Sequence, residues 1–305
     1  MQNIRPAAVA GMFYPAEPGQ LAHDVLQLLA QARTNTSRPN GLTPKALIVP
    51  HAGYIYSGAI AATAYATLLS PDRMEENQSA PEGLSGGSSR NRLASPVTCH
   101  NRPIASRIRR VVLLGPTHRV AVRGLALPGA DAFDTPLGRV MLDTAAASAI
   151  ARLPQVTVSA QAHALEHSLE VQLPFLQSVL TDFTLLPLAV GMATAEEVAE
   201  VLDALWGGDE TLIVISSDLS HYLPYATAQL VDNETAQSIL KLQQPIAHDH
   251  ACGGTPVSGL IVAAQHHHLV PHLLDLRNSG DTAGTRDQVV GYASFVFTEE
   301  ESNHD

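Results

Sequence analysis

The chain has 305 residues, 45% of them hydrophobic and 15% charged, and its formal net charge is -11 with histidine neutral. This composition is typical of a globular protein with a substantial core. The acidic balance argues against broad binding to nucleic acids or to membranes, because both rely on basic surfaces. No apolar run reaches the roughly 18 residues of a membrane span. With two cysteines, Cys99 and Cys252, and no secretory leader pattern, the sequence predicts a cytoplasmic protein.

Apolar, β-rich runs alternate with helical patterns along the chain. The run ALIVP at 46–50 precedes the helical stretch GAIAATAYATLL, and VVLLG at 111–115 predicts the next strand. Further strands are predicted for GLAL, FTLLPLAV, TLIVIS and VVGYASFVF, the last with one exposed face, and helical patterns separate most of them. This alternation predicts an α/β fold with a mostly parallel central sheet and helices on both faces, and the length allows one large domain or two small ones.

Residues 71–109 interrupt this alternation. They are rich in Ser, Pro, Asn, Gly and Arg and show almost no hydrophobic periodicity. Such a composition predicts a long disordered insertion that forms a solvated surface loop, and the alternative is a partner-binding arm. Cys99 and His100 lie inside this segment, so we do not expect either side chain to bind a metal.

Three histidines each follow an apolar run that predicts a buried strand. His51 follows ALIVP, His118 follows VVLLGPT, and His221 follows TLIVISSDLS. Open α/β sheets bind their ligands beyond the carboxyl ends of the strands, so these side chains should share one crevice, where Asp218 and Cys252 could join them. Each histidine alone could be an ordinary polar residue, but three together favour a site. Imidazole with carboxylate or thiolate suits a transition metal.

Another group of ionisable residues lies in the segment HALEHSLEVQLPFLQSVL. His163, Glu166 and His167 have the H-x-x-E-H spacing of an inverted zinc-peptidase motif. On a helix, the two histidines would lie one turn apart with Glu166 beside them. The alternative is a helix N-terminus in which Glu166 and Glu170 interact favourably with the helix dipole. Pro174 predicts a kink or a break in the same helical stretch.

The segment ACGGTPVSGLIVAA places Cys252 just before the start of a predicted helix. The dipole at a helix N-terminus lowers the pKa of a thiol, and the thiolate binds metals or attacks carbonyls. The alternative is an inert buried cysteine. His266 to His268 lie at the other end of this helix, where the sequence predicts a solvated terminus.

Nine segments, taken together and in order, resemble one family. They are RPAAVAGMFYPAEP, VPHAGYIYSGAIAATAY, LLGPTH, TPLG, EHSLEVQLPFL, LPLAVG, SSDLSHY, CGGTPV and VVGYASF. The family is the Memo-like family, whose bacterial members are called AmmeMemoRadiSam system protein B. The resemblance runs from about Arg5 to Phe297 without 71–109, and it implies a single domain over 1–305. It implies the LigB-like fold of class III extradiol dioxygenases, in which a non-haem iron lies at the strand ends.

The resemblance also implies the site residues and a function. Its metal ligands would be His51, His118 and Cys252, and the other polar residues of the pocket, with catalytic roles, would be Asp218, His221, Glu166 and His167. The implied cofactor is iron or copper, with zinc possible. The implied activity is that of a metal-dependent oxidoreductase. The implied partners are a radical-SAM protein and an AMMECR-type protein.

One feature of the implied ligand set argues against ring cleavage of a catechol. A thiolate would replace the carboxylate that usually binds the iron, and thiolate favours copper. Two alternatives stay open. The chain could be a binding or assembly protein that uses the pocket for a peptide or a partner. It could also be a cysteine hydrolase with Cys252 as nucleophile, His221 as base and Asp218 as the orienting group.

Overall fold

The computed structural model describes residues 3–34, 43–69 and 104–300, which contain twelve strands and nine α-helices. The strands are β1 (Ile4–Arg5), β2 (Pro44–Val49), β3 (Arg110–Pro116), β4 (Leu125–Leu127), β5 (Ala132–Thr135), β6 (Gly138–Met141), β7 (Val156–Val158), β8 (Thr184–Val190), β9 (Thr211–Ser216), β10 (His221–Leu223), β11 (Leu269–Asn278) and β12 (Val289–Glu299). The α-helices are α1 (Pro18–Thr34), α2 (Tyr54–Tyr65), α3 (Ile104–Arg107), α4 (Thr144–Ile150), α5 (Ala160–Ala164), α6 (Leu173–Val179), α7 (Ala195–Leu205), α8 (Tyr225–Leu240) and α9 (Gly254–His266).

A nine-stranded mixed sheet forms the centre of the fold. Its strand order is β10-β12-β2-β9-β3-β8-β4-β7, and β11 pairs with β12. The four central strands β2, β9, β3 and β8 are parallel. At the flanks, β12 is antiparallel to β2, β10 and β11, and β4 is antiparallel to β8. The predicted α/β class is confirmed, and the parallel part is the centre of the sheet. A separate three-stranded sheet has the order β1-β5-β6.

Both faces of the central sheet are buried, which explains why its strands are continuous apolar runs. Successive side chains of a strand point to opposite faces. In β3, Val111 and Leu113 pack into a core shared with α1, α2 and α6. Val112 and Leu114 pack into a second core with α7 and α9 on the other face. The predicted helices on both faces are therefore present.

Two sequence predictions are corrected by the structure. The closing strand β12 has no exposed face, because its side chains on both faces are buried almost throughout. The predicted insertion 71–109 ends too late. Residues 104–107 form α3, and Ala105 and Ile108 belong to the core. Residues 71–103 lie outside the described residues.

The helical stretch expected around 163–180 is divided by a turn. Helix α5 ends at Ala164, a short 3-10 helix covers Glu170–Gln172, and α6 follows directly. Pro174 lies in the first turn of α6, where the missing N–H costs nothing because helix-initial N–H groups have no partner within the helix. Pro174 therefore begins a helix, and the structure has no kink inside one at this position. Among the described residues, no helix has the length and apolarity needed to cross a membrane.

Candidate metal centre

The candidate site lies at the carboxyl ends of three neighbouring parallel strands. Strand β9 lies between β2 and β3. His51 comes two residues after the end of β2, His118 two residues after β3, and Asp218 two residues after β9. This is the edge of an α/β sheet at which ligands bind. The apolar strands therefore bring polar side chains from distant parts of the chain to one place.

Three imidazoles form a compact group at this edge. One ring nitrogen from each of His51, His118 and His167 lies within 4.8 Å of the other two. The ring centroids are 5.3 Å apart for His51 and His118, 5.4 Å for His51 and His167, and 4.6 Å for His118 and His167. Within 3–34, 43–69 and 104–300, this is the one group of three such side chains with metal-binding spacing. It could hold a metal ion.

The protonation state of His51 and His167 suits the binding of a metal cation. Burial lowers the pKa of His51 well below its usual 6.5, and the neighbouring His167 and His118 lower it further. Burial also lowers the pKa of His167, to about 4. Both rings are therefore neutral at pH 7. Metals bind the neutral imidazole, so no proton has to leave these two side chains before an ion enters.

Glu166 orients the second histidine. Its Oε2 accepts the backbone N–H of His118 at 2.6 Å, and its Oε1 lies 2.9 Å from His118 Nδ1. Oε1 also accepts the backbone N–H groups of His167 and Ser168. Burial alone would raise the pKa of Glu166, but these hydrogen bonds outweigh it and lower the pKa to about 2. A carboxylate only accepts, so His118 carries a proton on Nδ1, and in the neutral ring Nε2 keeps the lone pair that could bind a metal.

Cys252, which the family resemblance implies as a metal ligand, lies beside His51 but is not part of the group of three imidazoles. Its Sγ is 3.3 Å from His51 Nε2 and accepts the backbone N–H of Asp218. Gly253 permits this approach, because a Cβ there would lie 2.6 Å from the Cβ of Ser217. The predicted lowering of the thiol pKa is wrong. Burial raises the pKa of Cys252, and the nearby Asp218 raises it further.

Asp218 and His221 occupy different positions in the site. Asp218 is buried, its Oδ1 accepts the backbone N–H of His51 at 2.7 Å, and burial raises its pKa. His221 Nδ1 donates to the carbonyl of Leu219 at 2.8 Å. A cleft of about 960 Å³ is lined by His221, His118 and Cys252 together with residues that follow β3 and β8. His221 is thus a cleft residue, whereas Asp218 supports the backbone of His51.

The structure separates His163 from the site. His163 is buried, and its Nε2 lies 2.7 Å from the carbonyl oxygen of Ala126. Because α5 ends at Ala164, His163 and His167 are not stacked on one helix, and the helical interpretation of H-x-x-E-H is wrong. His167 reaches the other two histidines from the turn after α5. The sequence analysis placed His167 in the pocket but did not include it among the implied metal ligands His51, His118 and Cys252.

A buried ion pair ties the beginning of the chain to this turn. Arg5 pairs with Glu170, and its guanidinium also donates to the main-chain carbonyls of His163 and Glu166. Glu170 in turn accepts the backbone N–H of Val9 at 3.0 Å. These contacts join residues more than 150 positions apart, so no local sequence pattern could reveal them. They hold the turn that carries the third histidine.

Comparison with known proteins assigns the chain to a family. Residues 5–76 and 92–296 match the family described as Memo-like protein. A MEMO1 family protein of Aquifex aeolicus is 31% identical over 97% of this chain and 99% of its own length. A MEMO1 family protein of Methanopyrus kandleri is 32% identical over 96% and 98%, and one of Sulfolobus acidocaldarius is 30% identical over 96% and 99%.

The match to the family also narrows the insertion. It stops at residue 76 and resumes at residue 92, so the stretch without a family counterpart is shorter than the expected 71–109. The three histidines and Cys252 all fall within the matched ranges. The nine segments, the strand-end histidines and these comparisons agree, and the chain belongs to the Memo-like protein family.

Proposed function

We propose that this chain binds one transition-metal ion, iron or copper, through His51, His118 and His167, and that the ion serves redox chemistry in the adjoining cleft. The observation that carries the proposal is the group of three imidazole nitrogens within 4.8 Å of one another beside a cleft of about 960 Å³. Imidazole suits iron, copper and zinc. The Sγ of Cys252, 3.3 Å from His51 Nε2, adds a soft donor that favours Cu(I).

The surrounding residues have separate roles in this proposal. Glu166 holds His118 with Nε2 free, and Asp218 holds the backbone of His51. A bound ion would supply Lewis acidity, and in the case of iron or copper electron transfer, to a substrate in the cleft. His221 is the proton acceptor, because its Nδ1–H is bonded to a carbonyl and its Nε2 keeps the lone pair.

The observations on Cys252 favour metal binding over hydrolysis. A cysteine hydrolase needs a thiolate paired with its base. The Cys252 thiol lies against His51 rather than forming a hydrogen bond with His221, and burial raises its pKa. A binding protein that uses the same cleft for a peptide would also bind the metal but would not consume dioxygen. We further propose a cytoplasmic location and association with radical-SAM and AMMECR-type proteins, on the family resemblance.

Metal analysis of the protein purified without oxygen tests the proposal. The wild type should bind about one equivalent of Fe(II) or Cu(I), and His51→Ala, His118→Ala and His167→Ala should each lose most of it. His23→Ala is the matched control, because His23 is exposed on α1. Cys252→Ser should lower the affinity for Cu(I) far more than that for Zn²⁺. Full occupancy in all three site variants would overturn the assignment.

Dioxygen consumption then separates the redox protein from the binding protein. The metal-loaded wild type should consume dioxygen in the presence of a reductant, and the apo protein should not. Stoichiometric metal without any consumption across a panel of phenols, thiols and ascorbate would favour the binding protein. Turnover of esters or amides that is abolished by Cys252→Ser, with metal uptake intact, would favour the hydrolase.

A further inference from the structure

A buried serine, Ser216, contacts the imidazole of His51. Ser216, the last residue of β9, has its Oγ 2.9 Å from His51 Nδ1. The same oxygen lies 2.6 Å from the carbonyl oxygen of Ser168 and 2.8 Å from Nε2 of Gln172. All four residues are buried, with 0–1% of their surface exposed. Bulk water does not reach these atoms, so the positions of the protons follow from the donors and acceptors that each group contacts.

The orientation of the Gln172 amide follows from its partners. One amide atom lies 2.9 Å from the carbonyl oxygen of Pro50, which can only accept, so that atom is the nitrogen. The amide oxygen then accepts the hydroxyl of Tyr65 at 2.9 Å. The second hydrogen of the amide nitrogen is donated to Ser216 Oγ. Gln172 is thus a donor to Ser216, and the fully buried Tyr65 locks it in that orientation.

The hydroxyl proton of Ser216 also has a fixed hydrogen-bond partner. The carbonyl oxygen of Ser168 can only accept, so Ser216 donates its single hydrogen there. Gln172 occupies one lone pair of the oxygen. Only the other lone pair faces His51, so the contact of 2.9 Å requires a proton on His51 Nδ1. The remaining ring nitrogen, Nε2, then carries a lone pair.

We infer that Ser216, held by Ser168 and Gln172, is a positioning residue that fixes His51 in the tautomer whose Nε2 can bind a metal. The inference deepens the proposed function and rests on it for the consequence in metal affinity. The tautomer itself is a property of the metal-free protein. The ring of His118 is oriented by the charged Glu166, whereas the ring of His51 is oriented by the neutral hydroxyl of Ser216.

The tautomer can be read directly from the metal-free wild type. Long-range proton–nitrogen correlation spectra of protein labelled with ¹⁵N-histidine distinguish Nδ1–H from Nε2–H rings. The His51 signals are assigned by their loss in His51→Gln. We expect the Nδ1–H pattern, and an Nε2–H pattern would overturn the inference. This measurement requires no substitution at Ser216, so it decides the question even if variants there do not fold.

The consequence for binding is tested with Zn²⁺, measured by competition against a chromophoric chelator. Removal of a group that orients a ligand costs about 10–100-fold in metal affinity. Ser216→Ala should show a loss in this range, and Ser216→Thr, which keeps a hydroxyl, should recover most of it. Ser294→Ala is the matched control, because Ser294 is equally buried and bonds to Thr63. It should bind Zn²⁺ like the wild type.

The outcomes separate this inference from the proposed function. If the wild type binds no metal but His51 shows the Nδ1–H pattern, the proposed function fails and the positioning role of Ser216 stands as a property of the fold. If the wild type binds Zn²⁺ and Ser216→Ala binds it equally well, the inference is overturned and the metal site stands. A loss of affinity in Ser216→Ala without any change in the His51 tautomer would also overturn it.

Discussion

Glu166→Gln is the substitution whose effect can be worked out most directly from the structure. The pKa of Glu166 is about 2 in the folded protein, against 4.5 in an unfolded chain. Each unit corresponds to about 1.4 kcal/mol, so the carboxylate stabilises the fold by about 3 kcal/mol at pH 7. Because the folded pKa is the lower one, this contribution is present above pH 4.5 and is lost as the pH falls toward 2. It should shrink to about 1.4 kcal/mol at pH 3.

Denaturant unfolding of the wild type and of Glu166→Gln at pH 7 and pH 3 measures this contribution. Glutamine keeps the shape of the side chain but loses the charge, and its NH₂ group faces N–H donors. The difference in the free energy of unfolding should therefore be about 3 kcal/mol at pH 7 and narrow on acidification. Glu234→Gln, at an exposed position of α8, should change little at either pH. A difference below about 1 kcal/mol, or one that does not narrow, would refute the reasoning.

Three further predictions concern stability. Gly291→Ala should cost about 1–3 kcal/mol, because its Cβ would lie 2.0 Å from the buried carboxylate of Asp232; an unchanged melting temperature would contradict this. Arg5→Met should cost about 3–5 kcal/mol, because the buried carboxylate of Glu170 loses its cationic partner, and adding Glu170→Gln should restore part of the loss in urea titrations. Deleting residues 77–91, which the family match omits, should leave the melting temperature and metal content nearly unchanged, and a large drop would show that they pack.

The strand-end part of the site was accessible from the sequence because each of its signals is local. An apolar run followed by a histidine predicts both a buried strand and the edge at which its next side chains lie. His51 and His118 were found in this way. The order of the strands was not needed, because the carboxyl ends of parallel strands meet at one edge in any order. The α/β class followed from the same alternation of patterns.

The part that was missed depends on contacts between distant segments. His167 lies close to His51 and His118 because a turn follows Ala164. That turn is held by Arg5, about 160 residues away in the chain. The spacing of H-x-x-E-H carries no information on such a contact and favoured a helix. The pKa of Cys252 was misjudged for a similar reason, because burial in the folded protein and the nearby Asp218, 34 residues earlier in the chain, both raise it. Ser216 gave no signal of its own, since serine is common at strand ends.

The position of β9 between β2 and β3 has a consequence for the order in which the protein is made. The ribosome completes β2 and β3, with His51 and His118 behind them, before it reaches Thr211–Ser216. Until that segment emerges, β2 and β3 have no strand between them, and no strand joins the positions of His51 and His118. Cys252 follows later still. All three histidines precede Thr211–Ser216 in the chain, so their imidazoles can come together only during the final third of synthesis.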